Sequence, residues 1–165
     1  MAESRLTPFN SALETGVRSL AILVAAYPRA HDLQRLVQYD YLTVHSEDAG
    51  GPPSLHPALP LRSGELLVRR GNVERGLLLM ISARLVRRWP GENGFSFGAE
   101  DAAGAFMANL VSGYHAELKT RARWVVDEFD SLVAVEVDAR MKGLFEDWTV
   151  EFQSTHPGSG LGTQA

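Results

Sequence analysis

Apolar positions near the start of the chain recur every three to four residues, at Leu13, Val17, Leu20 and Val24. That is the period of one helix face. Ser11 and Glu14 have the S-x-x-E spacing of a capping box, so the helix begins there. Pro28 ends it, because proline cannot continue the hydrogen-bond ladder. Ile22 and Leu23 fall off the stripe. The last two turns are therefore apolar nearly all round, and need cover on more than one side, from the same domain or a partner chain. A second helix follows with Asp32 as N-cap. Leu33, Leu36 and Val37 face inward, and Tyr41 and Val44 continue that face.

The pattern then stops. "EDAGGPPSLHPALP" holds a Gly-Gly pair and four prolines, which excludes helix and central strand. A loop of this length inside a compact domain usually has a job. Helical spacing resumes in "SGELLVRR", a short helix, and in "GNVERGLLLMISAR", a longer one with Asn72 as cap and Val73, Leu77, Met80 and Ile81 facing inward. Two β-prone arms, Leu85–Trp89 and Phe95–Phe97, flank "PGENG", a hairpin signal. Helix, short helix, longer helix and hairpin is the order of a winged helix–turn–helix domain, with bounds at residues 9–99.

From Glu100 to Asp130 the spacing predicts one long helix. Its seam is Met107, Val111, Tyr114, Leu118, Ala122, Val125 and Phe129, close to a heptad. Such a helix would extend roughly 45 Å and needs something packed along it, with Gly104 and Gly113 each weakening it by about 1 kcal/mol. A last helix is expected from Leu132 to Phe152, with Val137, Met141, Leu144, Phe145 and Trp148 apolar. Residues 100–152 thus form a C-terminal helical region, and 153–165 a flexible tail. The fold class expected is mainly α with a small β-hairpin: a winged-helix domain plus long C-terminal helices.

Composition narrows the function. The chain has 165 residues, 45% hydrophobic and 22% charged, a globular profile. It has no cysteine, which excludes disulfides, thiolate metal sites and cysteine nucleophiles. "MAESRLTPFN" lacks the order of a signal peptide. The longest apolar run, "LAILVAAY", is too short to span a bilayer, so a cytoplasmic location is expected. Net charge is −4 but uneven. Arg62 to Arg88 carries seven arginines against Glu65 and Glu74, while both flanks are acidic. A basic middle of this kind fits nucleic acid, an acidic protein surface, or neutralisation by the chain's own C-terminal part.

Catalytic motifs are missing. His45, Asp48 and His56 are spread over a Pro/Gly loop rather than held at helical spacing, unlike metal ligands. Ser46, Ser54 and Ser63 lie near the histidines, but none sits in a G-x-S-x-G elbow. "AGGPP" has neither a P-loop lysine nor a G-x-G-x-x-G. Asp127, Asp130 and Glu136 are expected on a solvated or inter-helical face. The expectation is a non-enzyme without metal or cofactor.

Winged helices often read DNA through the third helix and the wing. Arg69, Arg70, Arg75, Arg84, Arg87 and Arg88 are the candidates for nucleic-acid contact here. The helical period, however, places Arg75, Leu78, Leu79 and Ser82 on the outer face, and leucine offers no hydrogen bond to a base edge. Docking of another protein on this face, its cover by another helix of the chain, and DNA binding all stay open.

The stretch "LVQYDYLTVHSEDAGGPPSLHPALPLRSGELLVRRGNVERGLLLM" resembles the middle component of bacterial ABC-three-component systems, of the class found in Lamassu-type antiphage defence. Tyr39-Asp40-Tyr41, Val44-His45-Ser46, Gly51-Pro52, Ser54-Leu55-His56-Pro57, Arg62, Gly64-Glu65 and Arg69-Arg70 carry the resemblance. "SGYHAELKTRARWV" also fits, so the likeness runs from Pro8 to Phe129 and leaves "VEVDARMKGLFEDW" outside. It implies a non-catalytic adaptor that joins an SMC-like ABC ATPase to an effector, often a nuclease, and restrains that effector until foreign DNA is sensed. Ile22, Tyr39, Tyr41, His45, His56, Leu78 and Leu79 are the partner-binding candidates under this reading, and the loop becomes a structured connector. The alternative is a winged-helix DNA-binding transcription regulator.

Overall fold

The computed structural model describes residues 11–58, 65–92 and 94–154, with side chains followed to residue 146. Helix α1 (Ala12–Ala26) starts as the sequence predicts: Ser11 Oγ accepts the Glu14 N–H at 3.2 Å. A two-residue strand β1 (His31–Asp32) leads into helix α2 (Leu33–Val44), whose N-cap Asp32 accepts the Arg35 N–H at 2.8 Å. A 3-10 turn (Ser46–Ala49) opens the loop. Helix α3 (Glu65–Ser82), strands β2 (Val86–Gly91) and β3 (Gly94–Ala99), and helices α4 (Ala103–Ala108), α5 (Gly113–Phe129) and α6 (Ala134–Ser154) complete the order. The fold is mainly helical, with one small antiparallel sheet in the order β1-β3-β2. The expected hairpin pairs Val86 with Ala99 and Gly91 with Gly94. The sequence pattern missed β1, which adds a third strand by pairing His31 with Phe97.

Two helix boundaries differ from expectation. The two helices on either side of Gly71 are one, α3, and Asn72 caps nothing. Gly71 costs about 1 kcal/mol of propensity, but Arg69, Val73, Leu77 and Met80 present one continuous buried face across it. Tertiary burial outweighs the glycine. The long helix from Glu100 to Asp130 is instead two, broken between Asn109 and Ser112. Ser112 Oγ accepts the His115 N–H at 3.2 Å and restarts the helix. Lys119 Nζ donates to the carbonyls of Met107 (3.1 Å) and Leu110 (2.9 Å), satisfying the end of α4. The seam breaks with it: Val111 is 82% exposed, whereas Leu118, Ala122, Val125 and Phe129 are buried.

One core runs through these elements. Leu20, Leu36, Leu77, Phe97, Met107, Leu118, Val125 and Val137 belong to a single buried cluster drawn from every helix and the sheet. The apolar surplus of α1 is absorbed here, with Ile22 and Leu23 fully buried. Helices α1 and α3 cross at Gly16 and Gly76. A Cβ on Gly76 would stand 2.5 Å from the Gly16 nitrogen, and one on Gly16 would stand 2.7 Å from the Gly76 carbonyl. The two backbones touch because neither residue has a side chain. Among the described residues, no helix is long and apolar enough to cross a membrane.

Candidate functional site

Asp40 sits in the inward stripe of α2 and has no exposed surface. Arg18 of α1 donates from Nε to Oδ1 (2.8 Å) and from Nη2 to Oδ2 (3.2 Å). Arg69 of α3 donates from Nη1 to Oδ2 (2.5 Å) and from Nη2 to Glu65 Oε1 (2.5 Å). Burial alone would raise the Asp40 carboxyl, but the two guanidinium groups outweigh it and hold it at about 2. Arg18 is pushed up: burial works against its charge, and the Asp40 carboxylate more than restores it. This carboxylate is ionised and saturated at neutral pH, so it ties three helices together rather than moving protons.

The loop is built on that network. Arg69 lies over the Tyr41 ring, 5.4 Å from its centroid, and Tyr41 Oη donates to Asp48 at 2.8 Å. The Tyr41 and His45 rings are 4.8 Å apart, and His45 is 6.3 Å from His56. His56 Nε2 is 2.9 Å from Tyr114 Oη on α5. Burial, then the Arg18 charge, lowers His56 to about 4, so its ring is neutral at pH 7. Further contacts pin the backbone. Leu55 and His56 N–H groups both reach the Val44 carbonyl (3.0 and 3.1 Å). Ser46 Oγ donates to the Pro52 carbonyl (2.8 Å), and Arg121 donates twice to that of Pro53 (3.1 and 2.9 Å). Gly51 lies so close to Trp124 that a Cβ there would be 2.5 Å from the indole. As far as Ala58 the loop is an ordered connector clamped to α2 and α5.

A second polar cluster closes the corner between α5 and α6. Asp130, its side chain 2% exposed, lies 2.5 Å from Arg29 Nε and 2.8 Å from His31 Nε2. Tyr39 Oη donates to it at 2.9 Å and accepts from Arg35 Nη1 at 2.9 Å. Burial pushes the Tyr39 phenol up to about 12 and lowers the His31 ring, against the pull of Asp130. Asp130 thus belongs to the inter-helical face. Asp127 and Glu136 are exposed.

The outer face is different in kind. Leu78 and Leu79 are 45% and 38% exposed, so no helix of the described chain covers them. Beside them the hairpin presents Arg87 over Trp89 and Arg88 over Phe95, with guanidinium-to-ring distances of 5.2 and 4.6 Å. Arg70, Arg75, Arg84, Arg87 and Arg88 are exposed, and none forms an ion pair among the described residues. Arg84 follows the end of α3 with φ 58°, a left-handed position usually held by glycine.

The predicted site residues therefore separate into two groups. Ile22, Tyr39, Tyr41 and His45 are buried in the chain's own core, and His56 is half-buried under Tyr114. Tyr39 and Tyr41 are covered because α2 packs against α1, α3 and α5. Arg69 is buried too, held by Asp40 and Glu65, and is not presented to nucleic acid. Leu78, Leu79, Arg70, Arg75, Arg84, Arg87 and Arg88 are exposed. Sequence reasoning missed Arg18, Arg121 and Trp124. One signal was present: Asp40 falls within the apolar spacing of α2, and a buried carboxylate demands a cationic partner. Of the described residues, no group of three or more His, Asp and Glu could hold a metal ion. Arg62, Ser63, Gly64, the side chain of Trp148 and residues 155–165 of the tail lie outside what is described.

The scaffold is mainly helical, its buried charged groups are paired, and arginines and leucines are exposed on and after α3. The family model for the ABC-three component (ABC-3C) system Middle Component 2 matches residues 8–151. The chain belongs to that family, and a middle component of a multi-component system has partner proteins. No curated protein and no solved structure matches it.

Proposed function

We propose that the chain is a non-catalytic adaptor of a bacterial antiphage defence complex of the Lamassu type, working in the cytoplasm. It links an effector, often a nuclease, to an SMC-like ABC ATPase and restrains it. The observation that carries this reading is family membership over residues 8–151, together with a polar interior whose charged groups are already engaged with one another. The element order supports a winged-helix scaffold: α1, β1, α2, α3, then the hairpin β2–β3, with β1 closing the sheet against β3. Co-expression with the ABC ATPase and the effector encoded alongside tests it. The three proteins should copurify as one species, and the effector should be less active within it than alone. A chain that purifies alone from such co-expression, and leaves the effector's activity unchanged, refutes the reading.

The exposed arginines favour a second reading, a winged-helix DNA-binding regulator. It predicts salt-sensitive binding to duplex DNA that is weakened by Arg75→Ala or Arg87→Ala. Absence of sequence preference at moderate salt removes it.

A further inference from the structure

We draw no further inference here: the strongest candidate, the polar cavity of about 420 Å³ where β1, the start of α2, the hairpin turn and the start of α6 meet, is a cluster of carboxylates whose buried member, Asp130, is already engaged by Arg29, His31 and Tyr39, and nothing in the structure shows what would fill it.

Discussion

Replacement of Asp40 by asparagine is the sharpest probe of how this molecule is held together. The carboxylate accepts three charge-assisted hydrogen bonds, two from Arg18 and one from Arg69, with no solvent exposure at its own side chain and nearly none at theirs. Asparagine keeps the shape and one acceptor oxygen but removes the charge, leaving two buried guanidinium groups facing an amide. Breaking a buried ion pair by removing one partner costs about 3–5 kcal/mol, against a total stability of roughly 5–15 kcal/mol for a domain. For a chain of this size that lowers the melting temperature by roughly 6–20 °C, read by circular dichroism or scanning calorimetry. The pH dependence gives a second signature. The folded Asp40 carboxyl sits at about 2, below its ordinary value of 3.8. Its stabilisation is therefore complete above pH 3.8 and is lost as pH falls through about 2. The Asp40→Asn variant lacks that component of acid sensitivity. The triple replacement Arg18→Met/Asp40→Leu/Arg69→Met should regain most of the lost stability, because an apolar set removes both the charges and their desolvation cost. A melting temperature within about 2 °C of wild type for Asp40→Asn would refute the claim that this network joins α1, α2 and α3.

Three other outcomes are expected. Gly76→Ala should destabilise by about 1–3 kcal/mol in urea unfolding, although alanine is the better helix former, because its Cβ meets the α1 backbone at Gly16; a stabilised variant would mean the helices do not cross so closely. His56 should titrate near 4 by NMR. Since its folded value lies below the ordinary 6.5, its contribution to stability is present above pH 6.5 and lost as pH falls towards 4, and His56→Gln should flatten that part of the profile. Arg84→Gly relieves the backbone at φ 58° and should raise stability by about 1 kcal/mol in urea unfolding; loss of stability would show that the arginine is held by contacts that outweigh the strain.

Local pattern determined a good deal of this protein on its own. Ser11 and Asp32 place the starts of α1 and α2 because capping is decided within one turn of chain. The "PGENG" turn sets the hairpin register for the same reason. Outward Leu78 and Leu79 follow from the period of α3. Tertiary structure decided what depends on residues far apart in sequence. Burial carried α3 through Gly71, and Ser112 with Lys119 divided what spacing alone reads as one helix. The surplus apolar surface of α1 asked for cover, and only packing showed that the cover comes from within the chain. The ends of the Arg18–Asp40 contact are 22 residues apart, and those of the Arg121–Pro53 contact 68. A sequence can announce that a buried charge needs a partner, but it cannot name that partner. The choice is fixed only when helices come within hydrogen-bond reach, as happens here where two glycines let α1 and α3 touch.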